Sequence, residues 1–246
     1  MLQIRKDREN LWPKLWWADL MLGELMEKLV LVVATGNQGK SAEIRSYLNH
    51  AMLEIRDLND FGPIPEIVED GSTFEDNAYK KASFTAKILG FPALADDSGL
   101  EVETLGGAPG VHSARYAGED ASDADNNAKL LGEMSGLTDR RARFRCVLSL
   151  AVPMGFALTY EAQCDGQILH EPRGSHGFGY DPLFLYPPLQ KTFSELTMEE
   201  KLRVSHRGRA LMEIQSELDR VIQWLTKRLE EEKRLRVGDI CMHQHH

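Results

Sequence analysis

The apolar positions from Leu29 to Ala34 run without interruption, and the residues after them, from about 39 to 49, space their apolar members as a helix does. The alternation continues with a strand pattern at 52–57, a helix pattern at 72–89 and a strand at 93–96. Ser72-Thr73-Phe74-Glu75 has the form of a capping box, and Phe74, Ala78, Ala82 and Thr85 give the helix one apolar face. Ser122 to Asp125 opens a further helix in the same way, running to about Met134. The pattern then changes period. Arg143 to Val152, Phe156 to Cys164 and Gln167 to Leu169 are strand-like, with Pro153-Met154-Gly155 and Asp165-Gly166 as turns, which predicts an antiparallel meander. A glycine-rich loop (174–180) and a short strand at 183–186 follow. Thr197-Met198-Glu199-Glu200 caps a helix, and a long helix is predicted from about Arg207 to Arg234. Strands alternating with helices, then a run of strands, make the fold class α/β.

The two ends depart from this pattern. Residues 1–25 place Trp12, Trp16 and Trp17 among leucines and charges, a helical amphipathic pattern broken by Pro13. They read as an accessory extension or sequence upstream of a start at Met26, or as a helix for a partner or a membrane surface. The stretch 26–233 reads as one domain, and 234–246, ending Cys241-Met242-His243-Gln244-His245-His246, as a disordered tail.

Composition narrows the function. At 246 residues the chain has room for a substantial core, and a net charge of -9 argues against wrapping a nucleic-acid backbone, so any anion site must be local. No stretch reaches the roughly 18 apolar residues of a membrane span. Cys146, Cys164 and Cys241 have no metal-like spacing and no secretory signal precedes them, so a reducing, cytoplasmic setting is expected. Cys146, inside a strand pattern, is expected as a buried apolar filler.

Thr35-Gly36-Asn37-Gln38-Gly39-Lys40 joins the first strand to the first helix and has the makings of a phosphate cradle. Its glycines allow close backbone approach, the helix offers unpaired N–H groups and Lys40 adds a charge. Gly39-Lys40-Ser41 matches the end of a Walker A loop, but Ala34 stands where its first glycine should be. A P-loop NTPase is therefore one reading of this loop. In the other, the polar side chains of Thr35 and Asn37 touch phosphate themselves.

Asp96-Asp97-Ser98-Gly99 stands at the end of an apolar strand, where α/β enzymes place reactive groups; two acids beside a phosphate loop suggest Mg²⁺, with Mn²⁺ as a chemical substitute. The same four residues are also a common turn composition. Glu66, Glu69 and Asp70 precede a helix, with Glu75 and Asp76 in its first turn, and supply candidates for a second metal ligand. Gly177-Phe178-Gly179-Tyr180-Asp181-Pro182 is either a packed turn or a flexible loop offering aromatic faces to a base. Lys191 and Ser205-His206-Arg207-Gly208 supply donors that could favour an oxo over an amino group on a purine.

In this order, the phosphate loop, Glu69 to Ala78, Ala95 to Leu100, Gly110 to Tyr116, Gly177 to Pro182, Lys191-Thr192-Phe193 and Ser205 to Gly208 resemble the inosine triphosphate pyrophosphatases, the enzymes of non-canonical purine nucleotides. The resemblance spans roughly Met26 to Leu225. It implies a homodimer that hydrolyses ITP, dITP and XTP to monophosphate and pyrophosphate with Mg²⁺, on a long twisted mixed β-sheet flanked by helices, with two lobes and the site in the cleft between them. It implies phosphate binding by Thr35, Asn37 and Lys40, with Gly36, Gln38 and Gly39 in the same loop, and metal ligation by Asp97 and by Glu69 or Glu66. Asp97 would also be the base for water. Ser98 would contact substrate, Phe178 would stack on the base beside Gly179, Tyr180 and Asp181, and Lys191, His206 and Arg207 would read its oxo edge. A third reading is a sensor that binds a nucleoside triphosphate without turning it over.

Overall fold

The computed structural model describes residues 28–65, 67 and 70–242, and within them the chain forms one seven-stranded sheet in the order β2-β1-β3-β4-β5-β6-β7. Two helical crossovers build its first part. β1 (Leu29–Val33) leads through α1 (Gln38–Tyr47) to β2 (Leu53–Asp57), and α2 (Phe74–Leu89) returns the chain to β3 (Ala93–Val102). β1 pairs in parallel with both neighbours, as crossovers require. α3 (Asp123–Glu133) then precedes β4 (Arg141–Ala151), β5 (Ala157–Ile168), β6 (Phe184–Tyr186) and β7 (Lys191–Thr192), all antiparallel. Two of the three expected capping boxes form, at Ser122 and Thr197, while the one expected at Ser72 with Glu75 is replaced by a cap one residue later. The Thr73 side chain accepts from the Asp76 N–H, so α2 begins at Phe74, two residues later than its pattern suggests, and Ser122 and Asp125 form a reciprocal box at α3.

Side-chain alternation divides the buried residues between the two faces of the sheet. Leu31, Val33, Leu94, Cys146, Leu148 and Leu150 point to one face, where they meet α1, α4 (Met198–Val204), α5 (His206–Ser216) and α6 (Leu218–Met242). Val32, Ala93, Ala95, Val147 and Ala151 point to the other and meet α2 through Phe74, Ala78, Ala82 and Ala86. Burial on both sides is why β1 and the start of β3 read as unbroken apolar runs. Farther along the sheet, Leu100, Phe144, Cys164, Phe184 and Phe193 form a separate apolar cluster with Leu130 and Met134.

The structure corrects four expectations. β3 does not stop at residue 96 but runs to Val102, paired with β4 throughout. Asp165-Gly166 is not a turn: β5 continues to Ile168, and Gly166 serves a close approach, since a Cβ there would lie 2.4 Å from the Phe184 ring. The helix expected over 207–234 is two helices, α5 ending at Ser216 and α6 starting at Leu218. Finally, α6 extends through much of the expected disordered tail, to Met242, while the pattern of residues 1–25 lies outside the described residues.

Candidate active site

One face of β3 reads Leu94, Asp96, Ser98, Leu100: an apolar residue from one core cluster, two polar residues, then an apolar residue from the other cluster. Against this polar gap lies a cavity of about 210 Å³, lined by Asn37, Lys40, Ser98, Phe178, Gly179, Tyr180, Asp181, His206 and Arg207 from the expected set. Lys201, Asp123, Asn126, Ser113 and Phe144 also line it.

Each wall is fixed locally. Asn37 caps α1, its side chain accepting from the Lys40 N–H at 3.0 Å, while its own N–H donates to the Thr35 hydroxyl at 3.2 Å. Thr35, Gly36 and Gln38 line an adjoining groove with Asp57, and Asn37 belongs to both spaces. Gly39 lies under the Phe178 ring, where a Cβ would come within 2.6 Å of the aromatic carbons. Ser205 caps α5 through the Gly208 N–H, placing His206 and Arg207 in its first turn. Gly99 admits the 3₁₀ turn Gly110–Arg115, since a Cβ there would meet the Gly110 carbonyl at 2.4 Å and the Ser113 hydroxyl at 2.5 Å. Two of the sequence motifs are thus one packing unit.

A buried chain of alternating charges crosses the cavity floor. Lys40 pairs with Asp96 at 2.6 Å, Asp96 with Arg207 Nε at 2.7 Å, Arg207 with Glu43, Glu43 with Lys201 at 2.9 Å and Lys201 with Asp181 at 2.6 Å. Three cations face three anions. Burial opposes the charge on Asp96, but Arg207 and then Lys40 outweigh it and hold its pKa well below the usual carboxylate value. The same balance, struck by Arg207 and Lys201, lowers Glu43. Asp181 goes the other way, because its burial outweighs the attraction of Lys201. Arg207 also donates to the Ser98 hydroxyl at 3.0 Å. The Cys146 thiol, a buried filler as expected, additionally donates to Asp96 at 3.3 Å, and burial together with that carboxylate raises its pKa far above normal.

His206 is buried and stacked on Phe144, with ring centroids 4.6 Å apart. Burial, then the charges of Arg207 and Lys201, push its pKa well below the usual value, so the ring is neutral at neutral pH. Its Nδ1 has no hydrogen-bond partner among the described residues. Phe178 lies 4.6 Å from the Lys201 ammonium and 5.5 Å from the Arg207 guanidinium.

Asp97 and Lys191 do not line this cavity. The pleat turns Asp97 toward α2, where its carboxylate accepts from Lys81 at 2.7 Å. Nor are the two acids at the end of their own strand. They lie just past the end of β1, whose last pairing with β3 is Val33 with Leu94, so β3 continues there with β4 alone beside it. Lys191 is exposed on β7 and pairs with Glu200 at 3.5 Å, whereas Lys201 lines the cavity. Sequence reasoning missed Lys201, Lys81 and Glu43. One signal was present: Lys81 falls on the apolar stripe of α2, three residues after Ala78 and seven after Phe74. Glu66 and Glu69 lie outside the described residues, among which no group of three or more acids, histidines or cysteines is placed to hold a metal.

The geometry has close counterparts. Residues 31–217 match the model of the Ham1 family. A dITP/XTP pyrophosphatase from Syntrophobacter fumaroxidans is 66% identical over 219 residues, covering 88% of this chain and 94% of that protein. Another so named, from Desulfotalea psychrophila, is 61% identical over 204 residues, covering 83% and 92%. Among solved structures, a HAM1 protein from Coxiella burnetii superposes with a TM-score of 0.72 at 42% identity, over 78% of this chain and 99% of that one.

Proposed function

The chain belongs to the Ham1 family, and from that membership together with the cavity we propose that it hydrolyses non-canonical purine nucleoside triphosphates, dITP, ITP and XTP, to the monophosphate and pyrophosphate. The observation that carries this reading is the meeting, in one cavity, of a helix-capping phosphate loop, an aromatic ring and a neutral buried imidazole. The first suits phosphate, the second stacks on a base, and the third offers an uncharged polar edge to a purine.

The triphosphate lies across the end of β1, where the absence of a neighbouring strand lets one ligand reach both faces of β3. Lys40 is the terminal and most exposed member of the buried charge chain, so it can turn to phosphate while Arg207, Glu43, Lys201 and Asp181 keep one another paired. Asp97, on the other face, positions and deprotonates the attacking water, with Lys81 fixing its carboxylate. Arg207 has its donors on Asp96, Glu43 and Ser98 and supports the base pocket as much as it reads the base.

The described donor set suits a hard cation in a limited way, giving the Asp97 carboxylate and leaving most of the shell to phosphate oxygens and water, which is how Mg²⁺ binds beside nucleotides. Asp97 would hold Mg²⁺ with Glu69 or Glu66, and the ion supplies neutralisation of phosphate charge. The polar band between two apolar clusters supports a two-lobed reading with the site between the lobes. A homodimer working in the cytoplasm completes the proposal; no helix among the described residues is long and apolar enough to cross a membrane.

Phosphorus NMR of the products from dITP, XTP, GTP and ATP with Mg²⁺ tests the reading. Monophosphate plus pyrophosphate from dITP and XTP, with ATP and GTP nearly untouched, is expected. Diphosphate plus phosphate would transfer the case to a P-loop type of NTPase, and binding without product to a sensor.

A further inference from the structure

The loop that carries Phe178 is held from within, where the Phe178 N–H donates to the Asp181 carboxylate at 3.0 Å, and from outside itself. Gly179, the next residue, has a backbone φ of 60°, and both of its peptide groups are held by one helix. Its N–H donates to the Asp123 carboxylate at 2.6 Å, and its carbonyl accepts from the Asn127 amide at 3.0 Å. Asp123 and Asn127 are four residues apart on α3 and therefore share a face, so the pair grips a single residue like two fingers. The Tyr180 hydroxyl adds a third tie, donating to the Ser113 carbonyl at 2.9 Å.

The gripping helix is itself fixed. Leu130 and Met134 are fully buried at its far end. Asn126 ties its start to the preceding turn, accepting from the Ala117 N–H at 2.7 Å and donating to the Ala114 carbonyl at 3.1 Å. Asn127 has a further mark of purpose. Its Oδ1 is buried without a hydrogen-bond partner among the described residues, a cost that an apolar side chain at the same position would avoid. What the amide supplies in return is its N–H, which goes to Gly179.

We propose that Asp123 and Asn127 are positioning residues for the base: by fixing Gly179 they set the angle at which the Phe178 ring meets a purine, and they act on base affinity without acting on phosphate affinity. The proposal rests on the reading of this cavity as a purine nucleotide site. Among the described residues it separates a base-setting unit, residues 110–134, from the phosphate loop, which contributes Asn37 and Lys40 from the other wall.

The test uses the whole chain and two ligands that need no turnover, inosine 5′-monophosphate titrated calorimetrically and inorganic tripolyphosphate as a competitive inhibitor. Asp123→Ala, in which Ser122 still caps α3, and Asn127→Leu are each expected to weaken inosine monophosphate about tenfold, a loss of one hydrogen bond's order. Tripolyphosphate should change less than twofold. KM for dITP should rise in step with the loss for inosine monophosphate while kcat changes little. Asp123→Asn, which keeps an oxygen for the Gly179 N–H, should restore affinity. Unaltered inosine monophosphate binding in both variants, an equal loss for tripolyphosphate, or an Asp123→Asn variant as weak as the alanine would each overturn the positioning role. A wild-type protein that hydrolyses neither dITP nor XTP would instead refute the activity, whatever the variants do to binding.

Discussion

Two networks of alternating charge sit on opposite faces of β3 and β4, and they differ in what they can do. On the face shared with α5, Asp96, Arg207, Glu43, Lys201 and Asp181 are all buried and fully paired. On the opposite face, Arg143 pairs with Glu101 at 2.7 Å, Arg145 with Glu75 at 3.1 Å and with Glu101 and Glu161; Glu101 and Arg145 are half-buried, and the other three side chains are exposed. Water screens the second network, so its geometry is good and its contribution small. The first has no water to fall back on. Each member depends on the others, which makes the buried chain a device for holding a cavity wall in one arrangement, at the risk of large losses when any member is removed.

The widest predicted gap between the two comes from Arg207→Ala. It strands Asp96 and Glu43 without their main counter-charge, and stability is expected to fall by about 3–5 kcal/mol, read from urea unfolding midpoints. A loss under about 1 kcal/mol would mean that the buried chain tolerates gaps as the exposed one does.

Asp97 belongs to the second face by direction and to the first by burial, which makes it the sharpest case. Asp97→Asn is expected to lower turnover of dITP by roughly two orders of magnitude or more, with an unchanged far-ultraviolet dichroism spectrum. Near-normal turnover in a folded variant would remove Asp97 from the chemistry.

Acid should separate the networks again. The folded pKa of His206 lies well below its unfolded value near 6.5, so below that pH the unfolded chain binds a proton that the folded one refuses. Stability therefore falls as pH drops from about 6.5, by up to about 1.4 kcal/mol per unit from this group. Asp96 and Glu43, with lowered folded pKa values, add losses of the same sign as pH approaches 4, and Asp181, with a raised one, opposes them. Urea midpoints of wild type and His206→Asn between pH 7 and 5 read the difference; parallel curves would show that His206 is not held neutral. The smallest effect is expected from Arg143→Gln, at most about 1 kcal/mol and shrinking with added salt, again by urea midpoint.

The period of the apolar residues carried most of the fold, because β1, β3 and β4 bury both faces over much of their length, and Ser122 and Thr197 announce their helices with side chains that bond locally. Where the reading failed, a distant partner made the difference. Gly166 reads as a turn until Phe184 is placed against it, and Glu217 interrupts what reads as one helix. At the site, the loop residues were legible because glycine and proline punctuate them. Lys201 was not: from the sequence it is one lysine in a charged helix, and only the fold supplies Asp181 and Glu43 on either side of it. Lys191 shows the converse, a cation in a suggestive neighbourhood of sequence that the fold turns to solvent.

The length of β3 has a last consequence. Its ten residues pair one by one with β4, so Asp96 and Asp97, the two acids on either side of the sheet, hang from a stretch of backbone with almost no freedom of its own. Ordering two independent loops around a substrate would cost conformational entropy at every binding event, of the order of 1–2 kcal/mol for each residue fixed. Here that ordering is completed once, when the chain folds, and a ligand at the proposed position beyond the end of β1 would meet a separation of charges that was set before it came.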